Sequence, residues 1–128
     1  MRLRSIVAGI ATGLKDLDKK LGGLHNSDLI IIAGRPSMGK TALGTNIAFN
    51  AAKRFKETKD EFGNKITIDG GKIAFFSLEM SSEQLATRVL AEQSKISSDK
   101  MRKAELTKDD FKTIAKISSD LEGLNLFI

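Results

Sequence analysis

The sequence predicts an α/β domain in which a parallel sheet is flanked by helices. Two dense apolar runs, "DLIIIAG" at residues 28–34 and "KIAFFSLEM" at residues 72–80, are each followed by a segment with helical spacing. Strands of parallel sheets that are covered on both faces form nearly continuous apolar runs. We therefore expect both runs to be central strands, buried on both faces.

A short helix precedes the first strand. Four leucines recur at spacings of three and four, which places them on one helical face: Leu14, Leu17, Leu21 and Leu24. Thr12 can cap the start of this helix, and the pair Gly22 and Gly23 can end it. The predicted first element is thus a short helix with a leucine face.

Three further helices and one strand complete the predicted order. A helix from about Gly39 to Phe55 is expected from the spacing of Leu43, Ile47, Ala48 and Ala51. Ser81 with Gln84, and Thr107 with Asp110, have the spacing of capping boxes. The first opens a helix to about Gln93, with Leu85, Val89 and Leu90 inward. The second opens another, containing Phe111, Ile114, Ala115 and Ile117. "LNLFI", residues 124–128, is expected to be a third strand.

Two segments fit the sheet less well. Residues 1–11 carry no clear pattern and are interpreted as a linker or an interface arm. Residues 53–71 are charged and contain the turn signals Gly63-Asn64 and Gly70-Gly71, so we interpret them as a surface insertion. Within it, "EFGNKITI" can form a small hairpin. Since the last strand closes the chain, the fold is expected to be truncated.

Composition excludes several classes of function. The chain has 128 residues, a net charge of +5, no Cys and one His, His25. Disulfides and thiolate metal sites are excluded, and a histidine metal centre is disfavoured. The longest apolar run is too short to cross a bilayer. The absence of Cys fits a cytosolic protein, and a cytoplasmic location is expected. The positive charge suits a polyanionic partner, but solvated helix and loop faces explain it equally well.

The segment "GRPSMGKT", residues 34–41, matches the pattern G-x-x-x-x-G-K-[ST] between a predicted strand and a predicted helix. Gly34 and Gly39 permit torsions that turn backbone N–H groups toward a phosphate. The helix that begins there adds its positive dipole end and the N–H groups of Lys40, Thr41 and Ala42. Lys40 can reach the β- and γ-phosphates, and the Thr41 hydroxyl can bind Mg²⁺. The pattern predicts a nucleoside triphosphate site.

Glu79 follows the second predicted strand, at the carboxyl end where ligands of open α/β sheets bind. If the two strands are neighbours, this carboxylate lies beside the phosphate loop and can orient the attacking water. Alternatively, Glu79 only favours the N-terminus of the next helix. The residues alone leave both interpretations open.

Taken together, "RPSMGKT" and "SLEMS" resemble the replicative DNA helicases of the DnaB type, ring-shaped motors with a RecA-like P-loop NTPase fold. The resemblance covers nearly the whole chain, which corresponds to the front half of that motor domain. It is weakest at residues 53–71. It implies that Arg35, Pro36, Ser37 and Met38 fill the variable positions of an ATP-binding loop. It further implies that Glu79 and Lys40 are catalytic, and that Thr41 holds Mg²⁺. Arg88 matches an arginine placed near the nucleotide, or is a solvated helix residue.

For the intact protein, the resemblance implies ATP-driven translocation on single-stranded or forked DNA by a homohexamer. It also implies contacts with primase and a helicase loader, and a nucleoid-associated location. The insertion is expected on the exterior of the ring. The family's Walker B aspartate, arginine finger and DNA loops have no counterpart here, so Mg²⁺ should be held weakly and this chain alone should be inactive or weakly active. A RecA-like recombinase, a P-loop kinase and a nucleotide-binding fragment without turnover remain alternatives.

Overall fold

The computed structural model describes residues 8–128, so most of the predicted arm at residues 1–11 lies outside the described part. The chain divides into two compact units, the first ending at Ile73 and the second running from Ala74 to Ile128. Both helices and strands are present, as an α/β chain requires. Along the described residues, no helix is long and apolar enough to cross a membrane.

The first unit begins with a closed loop around a short helix. Ile10 and Leu24 form an antiparallel bridge, with both N–O distances at 2.8 Å. Between them lies α1 (Lys15–Leu21), which ends at Gly22 with a φ of 69°. The predicted glycine end of α1 is confirmed. The predicted Thr12 cap is wrong, because the N-cap is Leu14 and Thr12 bonds to Asp18 instead.

The leucine face of α1 is also not its buried face. Leu14 and Leu21 are exposed, and the one residue of the helix that is buried is Asp18. Asp18 is buried because Thr12, in the loop that precedes the helix, donates two hydrogen bonds to its carboxylate.

The second helix, α2 (Lys40–Lys53), supplies most of the apolar core of the first unit. Its buried positions are Thr45, Ala48, Phe49, Ala51 and Ala52. The small alanines allow other backbone segments to approach closely. Gly70 is one such contact: a Cβ added there would lie 2.4 Å from the Ala51 carbonyl oxygen. The Gly71 N–H donates to that same oxygen at 3.1 Å.

An antiparallel hairpin follows α2, formed by β1 (Lys56–Lys59) and β2 (Lys65–Asp69). Every residue of both strands is exposed. A hairpin in this segment is confirmed, although its first strand begins earlier than "EFGN" suggested. The Arg54 guanidinium and the Asp69 carboxylate, 3.7 Å apart, link its base to the end of α2.

The predicted first strand, residues 28–34, is not a buried strand. No strand of residues 8–128 pairs with it, and Leu29 and Ile31 are 87% and 79% exposed. A buried central strand requires neighbours on both edges and layers on both faces, and none of the described elements supplies them.

The second unit contains three helices and a small sheet. The helices are α3 (Ser82–Ser94), α4 (Ser98–Arg102) and α5 (Lys108–Glu122), and α3 packs against the other two. Leu85 and Val89 of α3 are buried, as predicted. Both predicted capping boxes, at Ser81 and Thr107, are confirmed. The five-residue helix α4 was not predicted.

The sheet pairs β3 (Ile73–Ala74) with β4 (Leu126–Phe127). The Phe75 N–H donates to the Phe127 carbonyl at 2.7 Å, which confirms the predicted last strand. Burial on both faces, predicted for residues 72–80, is wrong. Exposure alternates along the run, and Phe76 is 92% exposed while Phe75 is half-buried. One face of this strand is covered and the other is open.

Candidate nucleotide-binding site

The glycine-rich loop, residues 34–39, turns the chain sharply into α2. Ser37 has a φ of 63° and Gly39 a φ of 87°, so two residues of the loop adopt left-handed torsions. A Cβ at Gly39 would meet no atom within 4 Å, so its backbone torsion, and not crowding, is what requires glycine there. These torsions allow consecutive N–H groups to point toward a common centre, as in loops that bind anions.

Within residues 8–128, the first N–H groups of α2 have no hydrogen-bond partner. Its N-cap is Gly39, no side chain caps it, and its first turn contains no acidic residue. Lys40 is the first residue of the helix, and a cation at the positive end of a helix dipole is unfavourable without an anion. A phosphate would satisfy the free N–H groups and balance the charge of Lys40 together.

The Lys40 side chain folds back over the loop. Its Cγ and Cδ atoms would lie 3.4 and 3.6 Å from a Cβ at Gly34, so the lysine stem covers the first glycine of the pattern. A cavity of about 510 Å³ opens here, lined by both ends of the loop together with Ile32, Ala33 and Leu43. Those three apolar residues were not assigned to the site from the sequence.

Thr41 occupies the second position of α2 and is half-buried. Its carbonyl accepts the Thr45 hydroxyl at 2.7 Å, whereas its own hydroxyl has no hydrogen-bond partner within residues 8–128. A hydroxyl oxygen is a hard ligand of the kind that Mg²⁺ prefers. Residues 8–128 hold no group of three or more acidic or histidine side chains that could bind a metal. The donor set is compatible with a metal bound mainly through phosphate and water.

Glu79 lies at the bend that leads into α3. Ser77 shapes this bend, because its hydroxyl accepts the Met80 N–H at 3.1 Å. The Glu79 side chain is exposed, two residues before the N-cap Ser81. It belongs to the second compact unit, whereas the glycine-rich loop belongs to the first. Its predicted position beside the loop therefore stays a prediction.

Arg88 lies on α3, also in the second unit, and is half-buried. It lines a cavity of about 690 Å³ among the three helices, together with Glu83, Met101 and Arg102. Its predicted role near the nucleotide stays a prediction as well. The structure thus brings together the predicted residues of the glycine-rich loop.

A polar network that the sequence did not predict connects α1, the loop before it and α2. Asp18 accepts hydrogen bonds from the Thr12 N–H at 2.8 Å and the Thr12 hydroxyl at 2.7 Å. The Asn50 side chain, on α2, donates to the Thr12 carbonyl at 3.0 Å. The only signal in the sequence is that Asp18 directly follows Leu17 of the leucine face, which does not by itself indicate burial.

Burial raises the pKa of Asp18, but the Thr12 and Gly13 donors, helped by the charge of Arg54, outweigh it and hold that pKa below its ordinary value of 3.8. Asp18 therefore stays ionised in the folded protein at neutral pH. The carboxylate, Thr12 and Asn50 fix the loop that precedes α1 to the helix that begins at Lys40.

A glycine-rich loop that leads an uncapped helix N-terminus and a lysine into one cavity is an arrangement typical of sites that bind phosphate. The sequence profile of the DnaB-like helicase C terminal domain matches residues 9–128, and this chain belongs to that family. The chain is 47% identical over its whole length to "Replicative DNA helicase DnaB" of Rickettsia prowazekii (strain Madrid E). It is 36% identical, over 95% of its length, to the protein of that name from Geobacillus stearothermophilus.

These relatives are much longer than this chain. The match covers 26% of the Rickettsia prowazekii protein and 24% of the Geobacillus stearothermophilus protein, so the chain spans about a quarter of each. The resemblance predicted from "RPSMGKT" and "SLEMS" is confirmed by the family match. Nothing in these comparisons supports a recombinase or a kinase.

Proposed function

We propose that this chain is the ATP-binding part of a replicative DNA helicase. In the intact protein, ATP hydrolysis drives translocation on single-stranded DNA and separation of the duplex ahead. The observation that carries the proposal is the loop at residues 34–39, which ends at an uncapped helix N-terminus with Lys40 in its first turn. The proposed activity is supported by the family match and by relatives that are named as replicative DNA helicases.

The proposed roles at the loop follow from its donors. The N–H groups of Lys40, Thr41 and Ala42 lie in the first turn of α2 and can hold the β-phosphate. The Lys40 ammonium balances charge on the β- and γ-phosphates. The Thr41 hydroxyl is the residue of this chain that would hold Mg²⁺, which neutralises phosphate charge when it is bound.

The proposed catalytic base is Glu79. Hydrolysis requires a group that orients water for in-line attack on the γ-phosphate, and an exposed carboxylate at the bend before α3 can do so. This role needs the two compact units to meet, with the runs at residues 29–33 and 73–78 as neighbours in a parallel RecA-like sheet. Arg88 is proposed to lie near the same nucleotide.

We also propose a homohexamer acting on forked DNA, with primase and a helicase loader as partners, in the cytoplasm at the nucleoid. The family match supports DNA binding and ring assembly. The exposed insertion, residues 53–71, is proposed to lie on the outer surface of the ring, where an exposed hairpin interferes least with assembly.

Nucleotide titration of the intact protein tests the loop. Lys40→Ala should weaken binding of a fluorescent ATP analogue by about tenfold or more, since a charge-assisted contact to phosphate contributes about 1.5–3 kcal/mol. Lys53→Gln, at the other end of α2, is the matched control and should bind as the unaltered protein does. Equal affinity of the Lys40→Ala and Lys53→Gln proteins would refute the proposed nucleotide site.

Single-turnover hydrolysis tests Glu79. Glu79→Gln should retain nucleotide affinity but lose at least about a hundredfold in rate, the usual contribution of a general base. Glu92→Gln, an exposed position on α3, should retain the rate. DNA unwinding by the same proteins then separates a helicase from an ATPase that merely responds to DNA. Normal turnover by the Glu79→Gln protein would exclude its catalytic role.

A further inference from the structure

In the hairpin formed by β1 and β2, most acidic side chains have partners within residues 8–128, whereas the strand lysines do not. Three of its four acidic groups are already engaged. Glu57 lies 3.3 Å from the Lys72 ammonium, and Asp69 lies 3.7 Å from the Arg54 guanidinium. Asp60 accepts three hydrogen bonds within the turn. This leaves Glu61 as the one acid of the hairpin that has no partner within residues 8–128.

The strand lysines have no such partners. Lys56, Lys59 and Lys65 are exposed, and none forms an ion pair with another residue between 8 and 128. Lys59 and Lys65 are directly opposite each other in the strand register. Like charges at such a position repel, because the Cβ atoms of cross-strand partners are only about 4.5–5.5 Å apart. An anion between the two ammonium groups would remove this repulsion.

The turn next to these lysines is rigid and presents an aromatic ring. The Asp60 carboxylate accepts the N–H groups of Phe62 and Asn64 at 2.9 and 2.8 Å, and these bonds keep the Asp60 pKa below its ordinary value. Phe62 is 88% exposed. Exposing a phenylalanine ring to water costs free energy in the isolated hairpin. Because the turn is fixed, the ring is preorganised for contact with a partner.

We propose that Phe62, Lys59 and Lys65 form a contact surface for a single-stranded nucleic acid. The two lysines bind neighbouring phosphates, and one base stacks on the Phe62 ring. Single strands alternate anionic phosphates with flat bases, and proteins bind them through cations beside aromatic rings. An acidic protein segment fits less well, because a ring this exposed is not the wall of a pocket for a side chain.

This surface is separate from the nucleotide loop. The proposed contact rests on the proposed function only in the choice of DNA as the nucleic acid. The hairpin and the loop lie at opposite ends of α2. Variants of the hairpin should therefore leave ATP affinity unchanged, and Lys40→Ala should leave the hairpin contact unchanged.

Photo-crosslinking locates the contact in the intact protein. A single-stranded oligothymidylate with bromodeoxyuridine at alternate positions is irradiated with the protein, and the adducts are mapped by mass spectrometry. We expect an adduct within residues 60–64 that Phe62→Ala abolishes and Phe62→Trp restores. Phe111→Ala, an exposed phenylalanine on α5, should leave the adduct unchanged. Absence of an adduct in this segment would overturn the proposal.

Salt dependence measures the phosphate contacts. Loss of two contacts should reduce the slope of log affinity against log salt by about 1.4, at about 0.7 for each phosphate of a single strand. The double variant Lys59→Gln with Lys65→Gln should show this reduction. The control Lys108→Gln with Lys112→Gln, two exposed lysines of α5, should not.

The outcomes also separate the two proposals. An unchanged slope in the hairpin variant, in a protein that still unwinds DNA, would overturn the hairpin contact alone. If the hairpin variant lost binding to an acidic peptide but kept its DNA binding, the surface would be assigned to a protein partner. That result would also overturn the proposed nucleic-acid contact. A mapped Phe62 adduct and a reduced slope, in a protein that fails to hydrolyse ATP, would support the contact while refuting the helicase activity.

Discussion

The Thr12 hydroxyl donates a hydrogen bond to the Asp18 carboxylate at 2.7 Å, in the interior of the first unit. Thr12 is fully buried and Asp18 is only 8% exposed. A buried carboxylate is tolerated where donors surround it, and here the Thr12 and Gly13 N–H groups supply them. The pair joins the loop before α1 to α1 itself, and Asn50 extends the connection to α2.

Replacing Asp18 with Asn should therefore destabilise the protein. The amide retains one acceptor but turns an NH₂ group toward N–H donors, so buried donors lose their partner. We expect a loss of about 2 kcal/mol in the free energy of unfolding, measured by urea denaturation. Asp16→Asn, in the first turn of the same helix and exposed, should change stability by about 0.5 kcal/mol or less. Equal losses in the two variants would contradict the buried role of Asp18.

The same carboxylate should make stability depend on pH. The pKa of Asp18 is lower in the folded protein than its ordinary value of 3.8. Its contribution is therefore fully present above about pH 4 and is lost as the pH falls through the folded pKa. The difference in thermal midpoint between the unaltered protein and the Asp18→Asn variant should shrink as the pH is lowered from 6 toward 3. A difference that is constant over this range would refute the assignment.

Two glycines of the first unit provide a matched test of close packing. Gly70 and Gly63 both have positive φ, at 61° and 81°. A Cβ at Gly70 would lie 2.4 Å from backbone atoms of Ala51 and Phe55, whereas one at Gly63 would meet nothing within 4 Å. Gly63→Ala should cost about 1–2 kcal/mol of stability through its torsion alone.

Gly70→Ala should cost a further 1–3 kcal/mol or so, because the end of the hairpin must move away from α2. Chemical denaturation of both variants measures the difference. If the two substitutions cost the same, the contact between Gly70 and the end of α2 would not be as tight as the structure indicates.

The features that the sequence predicted well are those decided by neighbours along the chain. The capping boxes at Ser81 and Thr107, and the end of α1 at Gly22, need only a few consecutive residues. The glycine-rich loop is also continuous, so its residues could be named from the pattern. Helix α4, from Ser98 to Arg102, has too few residues to show a hydrophobic period and was missed.

Burial depends on partners that are distant in sequence, and there the predictions were weaker. Residues 28–34 have the composition of a central strand, yet Ile31 is open because no described strand lies beside it. Asp18 is buried because Thr12 bonds to it, which no helical period can reveal. The proposed approach of Glu79 to the loop is of the same kind, since it depends on contact between two units.

Gly39 offers a test of whether the shape of the loop serves nucleotide binding. Its φ is 87°, and a Cβ there would meet no atom within 4 Å, so Gly39→Ala changes the backbone preference without crowding. A left-handed alanine costs about 1–2 kcal/mol, which favours loop conformations that turn the N–H groups of Lys40 and Thr41 away from a phosphate. ATP affinity should fall by about tenfold, since each 1.4 kcal/mol corresponds to that factor. Gly123→Ala is the control, because Gly123 has a φ of −82° and open surroundings at the end of α5. If Gly39→Ala lowered thermal stability but left ATP affinity at the Gly123→Ala level, the left-handed turn would serve the fold and not the phosphate.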